Sequence, residues 1–157
     1  MIYVLGAPGS GKTTVAPLLS SRLPTHTVID WDAFIDAASD LAGRDVRRSP
    51  ETWPSYTKLV RAIVDSIRPR PIIVLGGCSP SELRDWPIDA WVLLDCADAE
   101  RERRLGAHRA RDEVTDAVSD GRHYRGLGLR VIDTTDRSSA QVAAALADLV
   151  PHIDISC

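Results

Sequence analysis

A chain of 157 residues, 44% hydrophobic and 26% charged, has the composition of one soluble globular domain and is too short for an eight-stranded α/β barrel of about 250 residues. Nineteen basic against 22 acidic residues leave a net charge of −3, which gives no long-range pull toward DNA or anionic lipid and disfavours a general nucleic-acid binder while still allowing a local basic patch. The basic residues are 17 Arg and two Lys, so each lysine stands out where arginine is the default.

Residues 2–5 form a short apolar run closed at once by Gly6, with no charged leader, long apolar segment or cleavage site, so the fold is expected to begin within a residue or two of Met1. Residues 12–23 predict a helix with a kink at Pro17, where a backbone hydrogen bond is lost. Residues 27–29 are a β-branched strand, and residues 32–41 a second helix. Tyr56, Leu59, Val60, Ile63, Val64 and Ile67 recur at helical spacing and predict a helix over 56–67. Residues 72–75 and 90–94 are continuous apolar runs that, like 2–5, suit strands buried on both faces of a parallel sheet. After the first of these, Ser79 with Pro80 suits an ordinary turn leading into a helix that Ser79 caps and Pro80 begins.

Helices are also predicted over 99–110 and 138–150, with a strand at 129–132 between them; residues 112–128 show helical spacing that Gly121 weakens. Five alternations of strand and helix predict right-handed crossovers and one three-layer α/β domain over residues 1–157, with no repeat, linker or second domain. Cys78, Cys96 and Cys157 are odd in number and far apart, which points to reduced thiols in a cytoplasmic protein and to neither a disulfide framework nor a zinc site. No apolar run approaches the roughly 20 residues of a membrane span.

Gly6-Ala7-Pro8-Gly9-Ser10-Gly11-Lys12-Thr13 matches G-x-x-x-x-G-K-[ST] between a buried strand and a helix, the context this phosphate cradle requires. Glycines let backbone N–H groups turn inward at a helix N-terminus, whose dipole adds partial positive charge. Lys12 then reaches the β and γ phosphates of a nucleotide, Thr13 offers a hydroxyl to Mg2+, and Thr14 extends the cradle. A GTPase would need N-K-x-D, which the sequence lacks; a motor or AAA-type ATPase would place a Glu directly after Asp95, where Cys96 stands. What remains is phosphoryl transfer to an acceptor held by the same domain.

Asp30 and Asp32 end the second strand, and in extended chain residues i and i+2 share a side at the carboxyl edge where open α/β sheets bind ligands. A carboxylate there can position an acceptor hydroxyl and take its proton, whereas a phosphate acceptor would be repelled. Asp32 is assigned as base and Asp30 as a water-mediated Mg2+ ligand, roles that can be exchanged; Asp32 also suits the N-cap of a helix from Ala33. Gly76 and Gly77 suit either close ligand approach or an ordinary turn, and Arg44, Arg47, Arg48 and Trp53 either an acceptor clamp or a solvated loop. Five arginines between 98 and 113 suit a salt-bridged helix, yet Gly106 suits a hinge to a short lid from which Arg104, Arg109 or Arg111 reaches the nucleotide, Arg104 and Arg109 as charge stabilisers; His108 is a bystander.

These residues, with Ile132-Asp133-Thr134-Thr135, resemble small P-loop kinases of the nucleotide, shikimate and gluconate kinase type over residues 1–150. The resemblance implies a five-stranded parallel sheet of order 2-3-1-4-5, a mobile lid after the fourth strand, and an adenine loop over 133–137 that engages Asp133, Thr134 and Arg137. It also implies that Asp30 assists Mg2+ and that Asp32, Gly76 and Gly77 contact a hydroxylated substrate; Arg47, Arg48 and Trp53 are acceptor candidates from the chemistry of their own loop. The lid is short for the group, and the loop around Trp53 matches no specific acceptor type. The function expected is ATP- and Mg2+-dependent transfer to a small-molecule hydroxyl, without general nucleic-acid or membrane binding. Alternatives are a nucleoside monophosphate kinase, a 5′-hydroxyl polynucleotide kinase, and a non-catalytic nucleotide-binding module.

Overall fold

A computed structural model describes residues 1–154, with side chains to residue 150; Cys157, read as a reduced thiol, lies outside the described residues. In chain order it comprises β1 (Ile2–Leu5), α1 (Lys12–Arg22), β2 (Thr27–Asp30), a single 3-10 turn (Trp31–Phe34), α2 (Ile35–Ala42), α3 (Trp53–Ile67), β3 (Ile72–Gly76), β4 (Ala90–Asp95), α4 (Asp98–Gly106), α5 (Arg111–Arg125), β5 (Arg130–Asp133) and α6 (Ser139–Asp154). The strands form one parallel sheet in the order β2-β3-β1-β4-β5, with helices on both faces, as expected of small P-loop kinases.

Alternation along the strands divides the interior into two cores. Tyr3 and Leu5 of β1 face one layer with Trp31, Val60, Val64, Val74 and Leu93, while Ile2 and Val4 face the other with Val15, Leu19, Leu75, Leu94, Val142 and Leu146. Val60 and Val64, fully buried on α3, each contribute about 1.5–3 kcal/mol by leaving water, which makes that stripe the anchor of its helix. Register sets the functional edge: Leu5 lies opposite Gly76 and Asp30 opposite Leu75, so the carboxyl ends of β1, β2 and β3 finish at one level.

α1 runs on through Pro17 to Arg22, as expected of a helix that continues past that proline. The structure departs from the sequence expectation in three places. Residues 77–89 form no helix; Ser79 and Glu82 close a turn through the Ser79 N–H and hydroxyl, both donating to Glu82 Oε2, and Leu83 tucks into the core instead. α4 stops at Gly106, short of residue 110. Gly121, which weakens the helical reading of 112–128, sits inside α5, where an added Cβ would reach the Arg101 guanidinium at 2.9–3.0 Å. Bareness at this point is a packing requirement that outweighs the roughly 1 kcal/mol helix penalty of glycine. Cys78 and Cys96 are buried free thiols, as expected, and burial pushes Cys78 up to about 12. Among the described residues, no helix is long and apolar enough to cross a membrane.

Candidate active site

The phosphate cradle begins where β1 ends. The Gly6 N–H donates to the Gly76 carbonyl at 3.0 Å, which ties the loop to the neighbouring strand. Gly9 and Gly11 take φ values of 80° and 96°, a region that side chains disfavour, and Gly11 is the N-cap of α1. No side chain caps that helix and no acid lies in its first turn, so its N-terminal N–H groups and dipole are left to a ligand anion. Ala7 and Ser10 are buried within the loop, Pro8, Thr13 and Thr14 are exposed, and Gly6 has no room for a Cβ beside Ser10 Oγ.

Lys12 is 6% exposed and donates from Nζ to the carbonyls of Gly6 at 2.6 Å and Ala7 at 3.5 Å. Burial lowers its pKa, against the pull of Asp32 and then Asp30, and the charges of Arg101 and Arg47 lower it further. The ammonium thus sits in the field of both carboxylates, with Asp32 exerting the larger pull.

The two acids have separate local jobs. Asp30 Oδ1 accepts the Asp32 N–H at 3.1 Å and caps the 3-10 turn, so the cap expected of Asp32 belongs to Asp30. Asp32 is therefore not spent on capping; its Oδ2 stands 3.9 Å from Lys12 Nζ with the side chain about one-third exposed. The expected shared side does not come from extended chain, because Asp32 already lies in the turn; the turn itself swings it toward Lys12. Trp31, between them, is buried under Trp53 and Trp86, and the Tyr56 hydroxyl donates to its carbonyl at 2.5 Å.

The expected acceptor residues are divided. Arg47 makes no side-chain ion pair or hydrogen bond among the described residues, and its charge is felt by both Lys12 and Tyr56. Arg48 turns instead to Glu113 at 2.5 Å and Asp45 at 3.7 Å, and Arg44 to Glu51. Trp53 packs on Trp31 and Tyr56. At Gly76 an added Cβ would collide with Tyr3 Oη and come to 3.1 Å from Trp31, so core packing accounts for that glycine. At Gly77 the nearest atom to such a Cβ is the Gly6 carbonyl at 4.0 Å, which leaves open space beside the cradle.

On the opposite side α4 and the loop after β5 grip the cradle. Arg104 Nη1 donates to the Gly9 carbonyl at 3.0 Å and to Thr134 Oγ1 at 3.1 Å, while Nη2 donates to the Thr134 carbonyl at 2.7 Å. Thr134 Oγ1 in turn donates to the Ser10 carbonyl at 3.2 Å. Asp133 accepts from the Thr135 N–H and hydroxyl, which hold its carboxyl below the usual range with help from the charge of Arg137. Arg109 reaches Glu113 at 3.5 Å, and Arg111 starts α5 exposed; among the described residues neither contacts the cradle. Asp95 is consumed by Arg101 at 2.6 Å and Arg125 at 2.5 Å.

Sequence reasoning missed Arg101, which donates to the Pro8 carbonyl at 2.6 Å, and Tyr124, whose hydroxyl donates to the Gly77 carbonyl at 2.5 Å. Tyr124 lies in the 112–128 segment, whose helical spacing carries no sign of a contact to residue 77. Arg101 was one arginine among five, with no local signal to separate it from its solvated neighbours.

The donor set suits a nucleoside triphosphate with Mg2+. An uncapped helix N-terminus and a buried lysine answer polyphosphate charge, and the exposed Thr13 next to Lys12 offers a hydroxyl oxygen. The described residues hold no group of three or more His, Cys, Asp or Glu, so a cation here would share its shell with phosphates and water, as Mg2+ does.

A family model described as "AAA domain" matches residues 2–123. No curated protein matches the sequence. Among solved structures, a tunicamycin resistance protein from Deinococcus radiodurans is similar with a TM-score of 0.69 and 23% identity, covering 95% of this chain and 94% of its own. A shikimate kinase from Acinetobacter baumannii, in complex with shikimate, has a TM-score of 0.65 and 18% identity over 96% of this chain and 92% of its own. A gluconokinase from Sinorhizobium meliloti has a TM-score of 0.63 and 18% identity over 96% and 95%. At these identities the likeness is one of fold.

Proposed function

The chain belongs to the AAA domain family, and from that premise we propose that it is an ATP- and Mg2+-dependent phosphotransferase whose acceptor is a hydroxyl of a small molecule. The observation that carries this reading is Asp32 Oδ2 at 3.9 Å from Lys12 Nζ, with Asp30 already serving as the cap. A carboxylate beside the phosphate-binding lysine suits an acceptor that must lose a proton, and ill suits one that brings its own negative charge. Motor-type hydrolysis is not part of the proposal, since Asp95 is held by two arginines and is followed by Cys96.

In this reading the α1 N-terminus and Lys12 bind the β and γ phosphates and orient the latter toward β2. Mg2+, bound through Thr13 with Asp30 across water, would supply charge neutralisation on the phosphate oxygens. Asp32 orients the acceptor hydroxyl and takes its proton at a carboxylate oxygen. Arg104, between Gly9 and Thr134, borders the nucleotide, with residues 133–137 including Arg137 beside the base. Gly77 leaves room for the acceptor, whose far end is met by Arg47 and Trp53. Arg109 and Arg111 would have to swing in with the segment between α4 and α5 to touch phosphate. Residues 1–157 act as one domain in this proposal, and the two buried free thiols suit the reducing cytoplasm.

Arg47, whose side chain makes no ion pair or hydrogen bond among the described residues, favours one second reading, a nucleoside monophosphate kinase in which it binds the acceptor phosphate. The deciding experiment is a panel of sugars, hydroxy acids, nucleosides, nucleoside-type antibiotics, monophosphates and 5′-hydroxyl oligonucleotides, read by ADP release in wild type and Asp32→Asn. For an alcohol acceptor, Asp32→Asn is expected to lower kcat by about 10²–10⁴ with ATP affinity nearly unchanged. A monophosphate acceptor with mild loss in the variant supports the second reading. An oligonucleotide acceptor would show steep salt dependence. ATP binding with no acceptor-stimulated turnover would mark a non-catalytic module and overturn the proposal.

A further inference from the structure

Arg101 is fully buried on α4, yet its charge is not there to meet solvent or a ligand. Nη1 donates to the Pro8 carbonyl at 2.6 Å and Nη2 to Asp95 Oδ1 at 2.6 Å. Asp95 is braced from its other oxygen by Arg125 Nε at 2.5 Å, and Arg125 is itself paired with Asp98 at 2.6 Å. The stem of Arg101 lies under the loop, where an added Cβ on Gly9 would come to 3.1 Å from its Cγ. The guanidinium rests on the bare face of Gly121, where a Cβ would come to 2.9–3.0 Å.

A buried ion pair of this kind is weak support for stability, because packed apolar side chains of similar volume often serve as well. What an apolar side chain could not supply is the grip on Pro8. A trans peptide points its carbonyl and the following N–H in opposite directions, so holding the Pro8 carbonyl toward α4 turns the Gly9 N–H away from it. Arg104, nearly one turn further along α4, holds the next carbonyl, that of Gly9. Arg104 is only partly buried and also borders the loop after β5, whereas Arg101 is sealed beneath the cradle.

We infer that Arg101 is a positioning residue: acting through the Pro8 carbonyl, it holds the phosphate cradle in its binding conformation, with Asp95 and Arg125 fixing its guanidinium and Gly121 giving it room. The ligand named in the test rests on the proposed function, but the hold on the loop is a property of the free chain.

The test is amide hydrogen exchange on the nucleotide-free protein, together with direct titration of ATP, for wild type, Arg101→Met, Arg101→Lys and Gly121→Ala. Exchange at residues 9–12 is expected to speed up at least tenfold in Arg101→Met and Gly121→Ala, while amides of β1, β3 and α6 keep their wild-type rates. ATP affinity is expected to fall at least tenfold in both. Arg101→Lys keeps the charge beside Asp95 but lacks the fork that reaches Pro8 as well, so it is expected to resemble Met and not wild type. If Arg101→Met unfolds, Gly121→Ala decides, since it retains every charge and favours the α5 helix. Wild-type exchange and affinity in Gly121→Ala and Arg101→Lys would overturn the inference. Should wild type itself fail to bind ATP, the proposed function falls, and the exchange rates alone still decide the role of Arg101.

Discussion

At the scale of single residues, adjacent identical side chains do different work. Gly76 is small because Tyr3 and Trp31 fill the space its Cβ would need, whereas Gly77 faces the opening beside Gly6. Gly76→Ala is therefore expected to cost about 1–3 kcal/mol in urea-unfolding stability, and Gly77→Ala less than about 1 kcal/mol, any functional loss in the latter falling on the acceptor KM. Both glycines read alike in the sequence because the difference lies in Tyr3, more than 70 residues away in the chain. Lys12 was legible at once, since its meaning is set by Gly6, Gly11 and Thr13 in the same short stretch. Its burial adds a prediction: Lys12→Arg keeps the charge but brings a larger, planar head to a site where Nζ lies 2.6 Å from the Gly6 carbonyl, and nucleotide binding by titration calorimetry is expected to drop at least tenfold.

At the scale of elements, α4 and α5 form the side of the site where the sequence was least informative. A run of alternating charge describes a solvated helix equally well along every face, so which arginine turns inward depends on what α5 and the cradle offer it. The exposed face still has a readable consequence. Hydrogen bonds from Arg103 and Arg104 hold Glu100 at about 2, and those from Arg125 and Arg122 hold Asp98 below its ordinary value. A carboxyl whose folded pKa lies below its unfolded one contributes stability that is complete above the unfolded value, about 4–4.5, and is lost as pH falls toward about 2. Thermal midpoints are thus expected to fall between pH 4.5 and 2, and Glu100→Gln to flatten that limb without reaching zero slope, because Asp98 and Asp133 share the same sign. Lys12 acts in the opposite pH range: its lowered pKa makes burial of the charged form a cost that is relieved as pH rises through its folded value toward 10.5.

A second element-level contact joins the loop after α2 to α5, with Glu113 taking Arg48 at 2.5 Å across 65 residues of sequence and Arg109, four residues before it, at 3.5 Å. Since an exposed pair contributes only about 0–1 kcal/mol, Glu113→Gln is expected to leave the melting temperature within a few degrees. It should act instead on the loop that carries Arg47, and raise the acceptor KM while ATP affinity stays put. A change in ATP affinity alone would speak against that link.

At the scale of the whole molecule, the sheet order brings three strand ends to one level, so that the loop after β1, Asp32 in the turn after β2 and Gly77 after β3 lie along one edge of the sheet. Binding to such a preformed edge stabilises the fold by mass action: ATP at 100 times its Kd is expected to add about 2.7 kcal/mol, a rise in melting temperature of roughly 5–10 °C for a chain of this length. Chelating Mg2+ should weaken that shift without abolishing it, because Lys12 and the α1 N-terminus remain, while phosphoryl transfer stops. A shift that vanishes with the metal would mean the cradle alone does not hold the phosphates.

What the amino-acid sequence determined by itself was whatever depends on neighbours along the chain: the strand periodicity, the cradle with its lysine, and the carboxylates at the end of β2. These rest on backbone sterics, burial pattern and spacing, which are local quantities. The tertiary structure alone decided which acid caps and which faces the lysine, which glycine makes room for the core and which for a ligand, and which of five arginines lies sealed under the loop. Each of those depends on the surfaces that packing brings against a side chain, and close packing lets residues distant in sequence settle the role of one whose own neighbours are silent.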